Sequence, residues 1–192
     1  SKNQNIVKKF DLSLISIVTK EALTSSLTTK SPDGVAALVK TSSIAKFDFH
    51  KNDDFVLVLD RVQDPGNLGN LFRTALASGV DKILIGGGAN PFNQKVLRAS
   101  CGSIFHLPFK RITGEEEMVI NNLLSSLKDF SKKGFQIILT TGNNQDSQNS
   151  SKPYWELDWL RPTVLVLGNE GSGIHKKIKE AFNVRVTIPH SE

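Results

Sequence analysis

The stretch QDPGNLGNLFRTA, Gln63 to Ala75, sets two glycines, two asparagines and one arginine at the start of an amphipathic pattern. Leu68, Leu71, Phe72, Ala75 and Leu76 recur at the spacing of one apolar helical stripe. Asn67 is placed to cap that helix and Gly79 to end it. Before the stretch runs the apolar segment Phe55–Leu59, and after it Lys82–Ile85, each of strand length. Strand, helix and strand in this order predict a βαβ unit, and hence a parallel sheet. The free N–H groups of the helix start would face the carboxyl end of the first strand, where anions and polar ligands bind. Asn70 and Arg73, three residues apart, would present an amide and a guanidinium on an exposed face beside that crevice.

Outward from this unit the alternation continues. Further strands are expected at Ile104–Leu107, Phe135–Thr140, Thr163–Leu167 and Arg185–Ile188. A second helix should open at Pro91 and run towards Ser100. A third is marked by Met118, Leu123, Leu124, Leu127 and Phe130 before Gly134. GNNQDSQNSSK, Gly142 to Lys152, has no apolar residue and reads as a loop. The first 50 residues differ in texture, rich in Ser and Thr, with strands expected at Leu14–Val18 and Val35–Lys40. They form a partial N-terminal subdomain, divided from residues 51–192 at a charged KNDD boundary between Phe47 and Asp54.

Composition sets the outer bounds. The 192 residues, 39% hydrophobic, suffice for one ordinary core and a small appendage. A net charge of +5 admits an anionic partner such as nucleic acid without requiring one. The single cysteine, Cys101, excludes an internal disulfide and reads as a small, half-buried apolar residue in a reducing, intracellular setting. Cytoplasm, chloroplast and mitochondrion all fit. The four histidines lack metal-ligand spacing, so no metal is expected. No apolar run approaches the roughly 18 residues of a membrane span, so no membrane is expected.

A second stretch, VLVLGNEGSGI, Val164 to Ile174, runs from an apolar strand through Gly168, Asn169, Glu170, Gly171 and Gly173 into a basic helix. Its glycines admit close backbone approach. It lacks the Lys-Ser/Thr ending of a P-loop, and its spacing is not that of the dinucleotide fingerprint. In order and spacing, LDRVQDPGNLGNLFRTALASGVDKILI, KVLRASCGSIFHLPF, VLVLGNEGSGI and VRVTIP resemble the SpoU (TrmH-like) RNA ribose methyltransferases of the SPOUT superfamily. The resemblance runs from Phe55 to the C-terminus. TTKSPDGVAALV, Thr28 to Val39, is more loosely similar to the linker behind a small RNA-binding domain.

The resemblance implies an α/β fold of mostly parallel sheet with helices on both faces, a C-terminal trefoil knot and a homodimer. It also implies methyl transfer from S-adenosylmethionine to a ribose 2′-hydroxyl of tRNA or rRNA. Carried over by position, Asn67, Arg73 and Glu170 match the catalytic positions, and Leu139, Thr140, Gly142, Gly168 and Ile188 the cofactor loops. Lys95, Arg98, Ser100, Lys176 and Lys177 fall where RNA would be gripped, within basic clusters that also include Lys110, Arg111, His175 and Lys179. Tyr154, Trp155 and Trp159 have rings able to stack on bases, although packing is the commoner use of such a segment.

The sequence departs from the family where it ends. A Ser-Leu-Asn-Val segment normally follows the position of Pro189, whereas this chain stops at His190-Ser191-Glu192. That departure leaves a second expectation open, a non-catalytic RNA-binding or ribosome-assembly protein that keeps the fold.

Overall fold

A computed structural model describes residues 8–29, 31–41, 44, 53–142 and 151–188. The chain divides into two compact units, residues 1–43 and 44–192. In the first, a 3-10 turn at Leu12–Leu14 is capped by Asp11, whose carboxylate accepts the Ser13 N–H at 2.9 Å. Helix α1, Lys20–Ser26, is capped by the Thr19 hydroxyl, which accepts from Ala22 N at 3.2 Å. Neither expected strand forms: Leu12–Leu14 coils as a turn, and residues 35–40 carry no regular structure. Among the described residues neither segment has a strand to pair with, and β-branched content alone does not make a strand. The KNDD boundary falls mostly outside the described residues.

Among the described residues, the second unit is built on a sheet of seven strands. They are β1 (Phe55–Asp60), β2 (Lys82–Gly86), β3 (Phe109–Ile112), β4 (Gln136–Thr140), β5 (Lys152–Pro153), β6 (Thr163–Leu167) and β7 (Arg185–Thr187). Their order is β3-β2-β1-β6-β4-β7-β5, and every pairing is parallel. Parallel strands need crossovers, and helices supply most of them. Helices α2 (Pro65–Ala77) and α3 (Gln94–Ala99) cover one face, with Leu68, Phe72, Ala75 and Val96 packed on Leu57, Leu59, Ile83 and Ile85. Helices α4 (Glu116–Lys132) and α5 (Lys176–Ala181) cover the other, with Val119, Leu123, Leu127 and Ile178 on Val56, Val58, Ile137 and Val164. Both faces of β1 are therefore buried, which is why it reads as a continuous apolar run. Each such Leu or Phe contributes about 1.5–3 kcal/mol.

Several expectations shift. Helix α2 begins at Pro65, so Asp64 is its cap, the carboxylate accepting Asn67 N at 2.8 Å, and the Asn67 amide is left for other work. Helix α3 starts at Gln94 under an Asn93 cap, not at Pro91. The apolar run Ile104–Leu107 is not a strand: a 3-10 turn occupies Ser103–Phe105, and the strand follows at Phe109. Gly102, at φ 88°, turns the chain there. Ile104 and Leu107, three apart, then both enter the core beneath α2. Strand β7 ends at Thr187, leaving Ile188 exposed. Of the segment expected to be a loop, residues 143–150 lie outside those described, and Lys152 enters β5. Of the C-terminal part of the chain, which the resemblance implies to be knotted, residues 143–150 and 189–192 lie outside those described. Cys101 is exposed, not half-buried, and its backbone sits at φ 48°.

The join between α2 and α3 rests on Gly69. A Cβ at that position would meet Ala99 Cβ at 2.5 Å and the Val96 carbonyl at 2.8 Å. Gly69→Ala should therefore wedge the two helices apart and destabilise the unit by about 1–3 kcal/mol despite alanine's better helix propensity. Denaturant melts of the variant beside the parent chain measure this directly.

Candidate active site

Strands β1 and β6 are neighbours, with Leu59 opposite Leu167. The chain leaves β1 towards β2 on one side of the sheet and β6 towards β7 on the other. Their carboxyl ends thus form the switch point at which ligands bind open α/β sheets. A cavity of about 370 Å³ lies there, a volume within the range of small-molecule sites. Its lining comes from Val62 after β1, Asn67, Asn70, Leu71 and Thr74 on α2, Thr140 on β4, and Leu167, Gly168 and Glu170 after β6. The α2 residues are spaced as one helical stripe, distinct from the one that enters the core.

Glu170 joins the two loops across more than 100 residues of sequence. One carboxylate oxygen accepts Gln63 N at 3.0 Å, and the other accepts Asp64 N at 3.1 Å and the Asn67 side-chain amide at 3.0 Å. Burial works against its ionisation, but the N–H groups of Gln63 and Asp64 and the Asn67 amide outweigh it and hold the carboxyl at about 2. The carboxylate is therefore a fixed acceptor at neutral pH. Asp64, with Lys95 Nζ at 3.0 Å and the Asn67 N–H on its other oxygen, is also held below the usual carboxylate range.

Beneath these groups lies a second lattice. Asp60, fully buried at the end of β1, accepts Arg61 Nε at 2.8 Å and His175 N at 2.7 Å. Leaving such a carboxylate unpaired would cost about 3–5 kcal/mol. The Asn169 amide donates to the Arg61 carbonyl at 2.9 Å, while its oxygen accepts Gly171 N and Ser172 N. Gly168 is required by the loop's own closure, because a Cβ there would collide with Gly173 and the Ile174 N–H.

The structure thus brings Asn67, Glu170, Thr140 and Gly168 together. The Thr140 hydroxyl donates to the Val166 carbonyl at 2.9 Å. Leu139 is buried in the core, so its side chain does not reach the cavity, and Gly142 and Ile188 are not among the lining residues. Arg73 is exposed on α2 and outside the lining, and among the described residues no hydrogen bond or ion pair reaches its guanidinium. Lys95 guards the start of α2 through Asp64, and Arg98 is exposed on α3. Lys176 faces Glu180 at 3.7 Å, and Lys177 ties α5 to Glu117 on α4 at 2.9 Å. Ser100 is fully buried, its hydroxyl donating to the Leu97 carbonyl at 2.9 Å beside the Gly69 contact. Trp159 and Trp155 are both exposed; the Trp159 indole N–H donates to the Tyr154 carbonyl at 2.7 Å, and its ring lies 6.4 Å from that of Phe55. Among the described residues no cluster of His, Cys, Asp and Glu is arranged to hold a metal ion, and no helix is long and apolar enough to cross a membrane.

Sequence reading missed Asp60, Asn169 and Thr74 as parts of this site. Asn169 lay inside the glycine-rich stretch without a role of its own, and Asp60 stood out as an acid closing a wholly apolar strand.

The fold and this crevice define a doubly wound α/β protein with its ligand site between the first strand and a late-inserted one. Residues 54–192 match the SpoU rRNA Methylase family. The chain belongs to that family. It is 36% identical over 135 residues to the 23S rRNA (guanosine(2553)-2′-O)-methyltransferase RlmP of Bacillus subtilis, covering 70% of this chain and 48% of that protein. It is 34% identical over 176 residues to an uncharacterized tRNA/rRNA methyltransferase of Synechocystis, covering 91% and 59%. Among solved structures, the AdoMet-bound rRNA methyltransferase from Sinorhizobium meliloti superposes with a TM-score of 0.60 at 30% identity, over 75% of this chain and 51% of that one. The chain spans about half to three fifths of the length of these proteins.

Because its pKa is depressed from 4.5 to about 2, Glu170 contributes stability that is complete above pH 4.5 and lost as pH falls towards 2. Glu170→Gln should flatten that acid limb. Urea denaturation of both forms between these limits tests it, and parallel curves would show that Glu170 is not held as described.

Proposed function

We propose that this chain transfers the methyl group of S-adenosylmethionine to a ribose 2′-hydroxyl of tRNA or rRNA, inside the cell and as a homodimer. In this reading residues 1–50 belong to an N-terminal RNA-binding subdomain and residues 51–192 to the transferase domain. The observation that carries it is the Glu170 carboxylate clamped to Gln63, Asp64 and Asn67 at the rim of the cavity. The clamp joins the two most specific family stretches into one site. The relatives named above support the activity and the cofactor.

The cavity fits that cofactor by size and by mixed lining, apolar at Val62, Leu71 and Leu167 and polar at Asn70, Thr74 and Thr140. When bound, S-adenosylmethionine supplies a methyl group already activated on a sulfonium. The work left to the protein is to align a poor nucleophile and stabilise charge on its oxygen. Thr140 and Gly168 line the wall that would hold the cofactor, with main-chain groups of Leu139 and Gly142 around the end of β4 and of Ile188 after β7 contributing. Asn67, held by Glu170, orients the ribose.

Arg73 has five donors, no acceptor and effectively permanent charge, so it does not act as a base. It grips the phosphate beside the target ribose and stabilises negative charge developing on the 2′-oxygen. A carboxyl held at about 2 is too weak a base to take the hydroxyl proton efficiently at neutral pH, so Glu170 positions Asn67 and the proton departs to water. Lys95, Arg98, Lys176 and Lys177 supply salt-sensitive grip on the RNA backbone.

Labelled methyl transfer to total tRNA and rRNA tests this. The parent chain should give label resistant to alkaline cleavage, and Arg73→Ala should lose at least about a hundredfold in rate with cofactor affinity unchanged. Salt-sensitive RNA binding without any label would favour the non-catalytic alternative.

A further inference from the structure

We infer that Asp60 is a positioning residue for the transferase site, acting by anchoring both ends of the loop that carries Glu170. The inference rests on the proposed reading of that site.

Asp60 and Arg61 act as one unit. The Asp60 carboxylate, with none of its surface exposed, is forked by Arg61 Nε at 2.8 Å and Nη2 at 3.3 Å. Its second oxygen also accepts His175 N at 2.7 Å, where α5 begins. Arg61 holds a backbone φ of 57°, which a residue with a Cβ adopts only when its surroundings demand it. That turn lets its side chain fold back over its neighbour while its carbonyl accepts the Asn169 amide at 2.9 Å. Its remaining nitrogen, Nη1, reaches Glu116 of α4 at 2.7 Å.

The end of β1 therefore grips Asn169 on one side of Glu170 and His175 on the other. Glu170 reaches from between them to Gln63, Asp64 and Asn67. Asp60 is not among the residues lining the cavity, and its hydrogen bonds run to Arg61 and His175 rather than to helix α2. Its influence on Asn67 passes through the loop, and without the anchor the three N–H groups around Glu170 would no longer meet a fixed acceptor.

The decisive measurement is the titration of Glu170 by carboxyl NMR in the full chain, in the parent, Asp60→Asn and Arg61→Lys. Asparagine turns an amide donor towards the guanidinium and should release the loop, and Arg61→Lys, which keeps the charge but loses the fork, tests the same link if Asp60→Asn fails to fold. We expect the Glu170 midpoint to rise from about 2 towards 4.5 in folded variants. In the transfer assay, kcat should fall at least about tenfold while KM for RNA changes less than about twofold. Adding Asp60→Asn to Glu170→Gln should cost little more than Glu170→Gln alone. A midpoint that stays at about 2 in both variants, or losses that multiply, would overturn the inference. If the parent chain transfers no methyl group, the functional reading fails, yet the titration still decides the anchor.

Discussion

The site depends on one carboxylate shared between two loops. Glu170 leaves the end of β6 and accepts two backbone N–H groups and one amide from the segment that follows β1. Burial alone would favour its neutral form, but three donors on one anion reverse the balance. The consequence is geometric as well as electrostatic. The start of α2 is held at a set distance from the β6 loop, and the cavity is the space between them.

Helix α2 serves three demands with one short sequence. Leu68, Phe72 and Ala75 enter the core, Gly69 lets α3 approach, and Asn67, Asn70, Leu71 and Thr74 face the crevice. Arg73 belongs to none of these contacts and projects from the exposed surface. This division explains the crowding of Gly and Asn in the opening stretch. Pro65 and the Asp64 cap start the helix early, so that Asn67 serves the site and not the helix end.

The basic excess is less free than the count suggests. Lys95 is paired with Asp64, Lys177 with Glu117 and Lys176 with Glu180. Such exposed pairs are screened by solvent and weak, so another anion can displace the acidic partner. Lys82 differs, because it is buried against Asp53 at 2.6 Å beneath the opposite end of the sheet. There the charge serves structure.

By itself the sequence determined the alternation of buried strands and amphipathic helices. Burial on both faces writes β1, β2, β4 and β6 as continuous apolar runs, and helical spacing writes α2 and α4. It also marked two stretches by their Gly and Asn content, which is disfavoured inside a strand or helix. Only the tertiary structure decided that β6 lies between β1 and β4, because several apolar runs are equally able to pair and through-space burial selects among them. That pairing brings Glu170 to Asn67. The same long-range packing curled Ile104–Leu107 into a turn and buried Ser100. It also revealed Asp60 as the base of the site, because the bonds of a buried carboxylate are made across the sheet and leave no periodic mark along the chain.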